Sequence, residues 1–149
     1  MKYKYLLLSV VLLICLNACK KDSKTPAPTV TIAAKWFITE QSSELYFNGE
    51  EISSFVDTTF TSVDFVEYYS DGTGYFSRSS STGPSLTEFT YTLKGSALTQ
   101  YISNVNTGTP ETVTDLTVNS LSIHAVSQIA DPNNPSQNDT EIDDYTYKR

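Results

Sequence analysis

The chain has 149 residues, of which 39% are hydrophobic, 12% aromatic and 18% charged, a length that fits one domain with appended segments. Loss of an N-terminal leader takes Lys2 and Lys4 with it and leaves eight basic against seventeen acidic residues, a formal charge of −9. That balance argues against nucleic acid as a partner, which needs clustered Lys and Arg, and against docking on an anionic bilayer through a basic face. One histidine, and no cysteine after position 19, leave no donor set for a typical zinc site.

The leader is residues 1–18. A short basic head, Met1 to Tyr5, precedes an apolar run from Leu6 to Leu16 that only Ser9 interrupts. As a helix that run reaches roughly 16 Å, too short for a bilayer core of about 30 Å, so it reads as a signal peptide and not a spanning helix. It ends Leu16-Asn17-Ala18-Cys19, which resembles the lipobox of bacterial lipoproteins. The resemblance implies diacylglycerol transfer to the Cys19 sulfur, cleavage before Cys19 and acylation of the new amine. Several acyl chains together hold a protein on a membrane where one would not. With Cys15 lost and Cys19 consumed, the mature domain has no thiol and its stability must come from packing.

Lipidated Cys19 and a flexible linker make up residues 19–34. Lys, Ser, Thr and Pro26-Ala27-Pro28 favour extended geometry and a reach of up to roughly 45 Å from the lipid. Lys20 is not a retention signal of the lipoprotein class, which implies the outer membrane. Lys21-Asp22 resembles the charged export tags of Bacteroidetes surface lipoproteins, and the periplasmic and surface faces both stay open.

From residue 35 the pattern has period two. Lys35 to Thr39 begins the domain, and the stretch around Leu45 to Phe47 ends at the turn pair Asn48-Gly49. Residues 48–57 are the one place where Glu50-Glu51-Ile52 favours a helical turn, though nothing sustains it. Val63 to Tyr69 breaks at Ser70-Asp71-Gly72-Thr73-Gly74 and resumes at Tyr75-Phe76. Leu86 to Leu93 places Phe89, Tyr91 and Leu93 on one side and Glu88, Thr90 and Thr92 on the other. Lys94-Gly95-Ser96 is a turn, Leu98 to Val105 a strand, and Asn106 to Pro110 a second turn. Thr112 to Val118 and Leu121 to Ile129 flank Asn119-Ser120, and Ile142 to Lys148 closes the chain. About eight strands in 115 residues argue an all-β sandwich or barrel. Short sequential turns favour an up-and-down meander, which avoids exposed edges by closing on itself.

Lys35-Trp36, Phe65 with Asp71-Gly72-Thr73-Gly74, Phe89-x-Tyr91-x-Leu93-x-Gly95, Leu116-Thr117-x-x-Ser120-Leu121-x-Ile123 and Tyr145-x-Tyr147-x-Arg149 together resemble the lipocalin-like domains of Bacteroidetes lipoproteins. The resemblance covers nearly all of 35–149 and implies a small antiparallel β-barrel on the lipocalin (calycin) plan, with no established activity for most members. Where lipocalins open Gly-x-Trp, this chain has Ala34. The resemblance also implies that Arg149 stacks on Trp36 as a structural plug of the barrel floor, a contact of about 0.5–2 kcal/mol.

No catalytic constellation emerges, and neither an enzyme nor a cofactor is expected. There is no Gly-x-Ser-x-Gly elbow, and His124 shares the face opposite Leu121, Ile123 and Ala125 and so points outward. Asp139, Glu141, Asp143 and Asp144 lack calcium-loop spacing and read as a solvated hairpin loop. Glu50-Glu51 and Asp143-Asp144 put adjacent carboxylates on opposite strand faces, unsuited to glycoside hydrolysis. Asp57-Thr58-Thr59 resembles the O-glycan acceptor pattern of Bacteroidetes, with Thr58 as acceptor.

The aromatic residues remain. Most belong in the core, and a barrel of about eight strands is either filled or holds one small ligand. Phe65, Tyr91, Tyr101, Tyr145 and Tyr147 are the candidates to line such a cup. The first expectation is a lipid-anchored barrel that binds a small apolar or amphipathic molecule. The alternative is a module with a filled barrel that contacts another envelope protein, its apolar patch near 45–60 from Phe47, Ile52, Phe55 and Phe60.

Overall fold

The computed structural model describes residues 30–102, 108–131 and 134–149, with backbone alone for 130, 131 and 134–138. The expected leader, Cys19 and the linker up to residue 29 lie outside the described residues. Among the described residues there is no helix, so none is long and apolar enough to cross a membrane. Nine antiparallel strands follow one another: β1 (Lys35–Phe47), β2 (Glu50–Asp57), β3 (Phe65–Tyr68), β4 (Thr73–Arg78), β5 (Ser85–Lys94), β6 (Ala97–Ile102), β7 (Thr109–Leu116), β8 (Ser120–Asp131) and β9 (Asn134–Lys148).

The sheet runs β2-β1-β3-β4-β5-β6-β7-β8-β9, and a further pairing of β1 with β9 rolls it shut. Eight strands close the barrel and β2 is the extra one. Closure depends on the length of β1, which uses both edges. On one edge Lys35–Phe37 pairs with β3 and Gln41–Phe47 with β2. On the other edge Phe37–Tyr46 pairs with β9. The register of β1 against β9 shifts between Ile38 and Glu40, leaving Thr39 as an extra residue. Trp36 and Ile38 therefore face inward before this bulge, and Gln41 and Ser43 after it. Residues 50–57 are thus a strand and not a helical turn. The reason lies in Asn48 and Gly49, which take φ of 52° and 82° and form the two-residue turn whose twist matches a hairpin.

The alternation expected for 86–93 is present: Phe89 is buried, Tyr91 and Leu93 are half-buried, and Glu88, Thr90 and Thr92 are exposed. Leu121, Ile123 and Ala125 likewise face the core. Gly74 has a packing reason. A Cβ there would lie 2.7 Å from the Phe89 ring and 2.5 Å from the Glu67 carbonyl, so only glycine lets the ring sit on β4.

The floor forms around Trp36, which is fully buried. Its indole N–H donates to the Ile32 carbonyl at 2.8 Å, the acceptor that a buried tryptophan requires. The Arg149 guanidinium lies 4.4 Å from the Trp36 ring centre, and the Arg149 amide donates to the Asn119 carbonyl at 3.2 Å. Ile32, within the stretch expected as linker, is 3% exposed and packs with Ala34 against the floor, while Val30 and Thr31 stay exposed. Tyr68 crosses the floor edge-on to Phe89 and Tyr91, with ring centres 5.4 and 5.0 Å away.

Asp64 fastens the β2–β3 connection to the end of β4. Its buried carboxylate accepts the amides and hydroxyls of both Thr61 and Ser79, at 2.7–2.9 Å. Burial pulls this carboxyl upward, but those four donors outweigh it and hold it at about 2, below the ordinary 3.8.

Two outcomes follow. Trp36→Ala is expected to cost about 3–5 kcal/mol in thermal melts, the range for a buried aromatic, and an unchanged melting point would remove Trp36 from the floor. For Asp64, the unfolded chain takes up a proton near pH 4 while the folded chain does not. The carboxylate's contribution is therefore complete above about pH 4 and is lost as pH falls through 2. Asp64→Asn should lower stability at pH 7 by about 1.5–3 kcal/mol and flatten the decline between pH 4 and 2, read from melts across that range.

Candidate functional site in the barrel

Above the packed floor the barrel holds a cavity of about 300 Å³. Its apolar wall is Ile38 of β1, Val66 of β3, Phe76 of β4 and Ile102 of β6. Into the same space β4 brings Arg78, β6 Gln100, β7 Thr109 and Glu111, and β9 Tyr145 and Tyr147. Register explains the convergence. Val66 opposes Phe76, Tyr147 opposes Ile38 and Leu121, and Tyr145 opposes Gln41 and Ile123, so all of them share the inner face.

The polar side chains divide by charge. Glu111 is half-buried, and burial pushes its carboxyl up to about 7, against the opposing pull of the Gln100 amide, which donates to it at 2.7 Å. The same Gln100 nitrogen donates to the Tyr68 hydroxyl at 3.2 Å. Burial also raises the hydroxyls of Tyr145, to about 12, and Tyr147, well above the ordinary 10; in both cases Arg78 opposes the shift. The Arg78 guanidinium lies 5.8 Å from the Tyr145 ring centre and 5.5 Å from that of Phe60. Among the described residues the only ion pair is His124 with Asp144, so Arg78 has no carboxylate within 4 Å.

Of the residues expected to line a ligand, Tyr145 and Tyr147 meet in the cavity, their rings stacked with centres 6.2 Å apart. Tyr91 faces inward but lies in the floor, its hydroxyl donating to the Tyr69 carbonyl at 2.7 Å. Tyr101 lies on the outer face instead, 42% exposed, opposite Thr90. Strand β6 is in phase with buried Leu98, and the Tyr101 ring covers Gly108 from outside. Phe65 borders the cavity, yet its ring is held on the outer side, edge-on to Phe37 and Tyr75 and 3.4 Å beneath the Lys35 ammonium. Arg78, Gln100 and Glu111 were not anticipated. Their only sequence signal is strand phase, since Arg78 follows Phe76 by two and Gln100 follows Leu98 by two.

His124 points outward and its Nδ1 meets Asp144 at 2.9 Å. The acidic stretch 139–144 is not a hairpin loop. It lies in β9, hydrogen-bonded to both β8 and β1, because the β8–β9 hairpin continues well beyond the barrel. Within it Glu141 accepts from Ser43 and Ser127 on the inner face, at 3.4 and 3.5 Å. No group of three His, Cys, Asp or Glu residues among the described ones is placed to hold a metal ion.

Outside the barrel, Lys35, Tyr69, Tyr75, Pro84, Leu86 and Glu88 edge an open groove of about 1040 Å³. Strand β2 pairs with β1 alone and exposes Ile52, Phe55 and Val56. Phe60, expected in this patch, instead packs against the core.

No family model matches the chain, and a search of curated proteins finds no match.

The Glu111 carboxyl supplies a test of the cavity's polarity. Between its ordinary 4.5 and about 7 the folded chain holds a proton that the unfolded chain has lost, so stability falls as pH rises through that window. Glu111→Gln should abolish this part of the decline in melts at pH 4.5–8. An unaltered pH profile would place the carboxyl in water.

Proposed function

We propose that this chain is a lipocalin-like lipoprotein of the Bacteroidetes type, anchored through Cys19 to the outer membrane, whose barrel binds a small amphipathic molecule. The observation that carries the reading is the cavity of about 300 Å³ between Ile38, Phe76 and Ile102 on one hand and Arg78, Tyr145 and Tyr147 on the other. That volume lies at the lower end of small-molecule sites, and the lining divides about evenly between apolar side chains and polar groups, which suits an amphipathic molecule. The closed eight-strand barrel supports it, because strand number sets an interior wide enough for one such ligand.

A second reading, a contact module for another envelope protein, draws on one observation: β2 leaves an unpaired edge and an exposed Ile52, Phe55 and Val56. Native mass spectrometry of the protein from its own host, after delipidation, separates the two. A co-purifying small molecule that is lost in Tyr145→Ala supports the first, and a co-purifying protein lost in Phe55→Ser supports the second. For the anchor, Cys19→Ala should move the protein from the membrane fraction to the soluble fraction, and persistence in the membrane would refute lipidation.

A further inference from the structure

We propose that the cavity selects an anionic amphiphile, with Arg78 receiving the negatively charged head and Glu111 making its retention pH-dependent. This rests on the reading of the cavity as a ligand site and names the class of ligand it takes.

Among the described residues that line the cavity, Arg78 is the one cation. Arg78 stands on β4 two residues beyond Phe76, in phase with the inward side, where β3, β6 and β9 surround it with Val66, Ile102 and Tyr145. A guanidinium is permanently charged and presents a fork of donors matched to carboxylate, sulfate or phosphate oxygens. The described residues offer it two aromatic faces, Phe60 and Tyr145, and no carboxylate within 4 Å. Rings stabilise the cation but accept none of its hydrogen bonds in the plane of the fork. A small anion would do so while its tail lies along Ile38, Val66, Phe76 and Ile102.

Glu111 is the one carboxylic acid among the described residues that line the cavity. Its surroundings are Gln100 on β6, Tyr68 on β3, Arg78 on β4, and Tyr145 and Tyr147 on β9. Ala125 opposes it on β8, with Asp143 the next partner of Ala125 on β9. Tyr145 and Tyr147 each feel both Arg78 and Glu111, so the two charged groups share one space. While Glu111 holds its proton, Arg78 is the one charged side chain among the described residues that line the cavity, with Asp143 and Glu141 acting on Tyr145 from the next inward positions of β9. Once it ionises, near pH 7, a negative charge faces the bound head and opposes it. Asp57, on β2, also lies within the field of Arg78, but its carboxylate is held by the amide and hydroxyl of Thr59. It does not vary over the same pH range.

The test uses the mature protein, residues 19–149 with Cys19→Ser, and three probes with one tail: octyl sulfate, octanol and octyltrimethylammonium. Octyl sulfate keeps its charge at every pH used, so any pH dependence belongs to the protein. By titration calorimetry at pH 5.5, octyl sulfate should bind about tenfold or more tightly than octanol, and the cation least. Its affinity should fall on the order of threefold to tenfold between pH 5.5 and 8.5. Arg78→Met should erase the preference over octanol while Arg78→Lys keeps part of it, and Glu111→Gln should flatten the pH dependence. Equal binding of octanol and octyl sulfate by the unaltered side chains overturns the anion site. Binding of octyl sulfate that does not change with pH overturns the role of Glu111. Binding of none of the three overturns the ligand reading itself.

Discussion

One strand decides whether this chain is a barrel or an open ribbon. β1 is hydrogen-bonded along both edges, to β3 and β2 on one side and to β9 on the other. The pairings from β3 through β9 are local hairpins that would form equally well in a flat meander. Such a meander would end in two unpaired edges and expose its aromatic face. The bulge at Thr39 makes the double use of β1 workable. It bends the strand and resets its phase, so that fully buried Trp36 and, higher up, Ser43 both face inward.

From that closure the interior divides into two chemistries. The lower layer is apolar and aromatic, sealed by Trp36, Ile32, Leu98, Leu121 and the Arg149 guanidinium. It supplies the stability that a domain without thiols has to find in packing. The upper layer mixes rings with Arg78, Gln100 and Glu111. Burial in that layer raises the Glu111 carboxyl and the Tyr145 hydroxyl above their ordinary values. A core built only for stability would place leucine or valine at these positions. The tall side of the molecule, β8, β9 and the upper part of β1, continues beyond the cavity and carries Glu141 on its inner face.

How much of this was legible depends on whether one face of a strand is buried. Leu86–Leu93 and Leu121–Ala125 read clearly because each alternates between core and solvent. β2 did not read as a strand, because its residues are exposed on both sides and only the Asn48-Gly49 turn and backbone pairing with β1 hold it. The carboxylates of 139–144 read as a loop because nothing apolar marks a face, yet a backbone bonded on both edges overrides that pattern. Tyr101 was assigned to the wrong side because β6 carries apolar residues in both phases, Leu98 and Ile102 inward and Tyr101 outward. Arg78 and Glu111 were invisible for a related reason: hydrophobic periodicity cannot find a polar residue that faces a cavity.

The floor also brings distant parts of the chain together. An Arg149 guanidinium nitrogen donates to the Thr31 carbonyl at 3.5 Å, so the first and last described segments meet beneath the barrel, on the side away from the cavity. A few residues of linker would join them without disturbing a wall, and the chain could then be reopened at a surface turn such as Asn48-Gly49. Topologically the barrel is a ring cut at its base, and circular permutation would move that cut to the rim while preserving the order of strands around the ligand space.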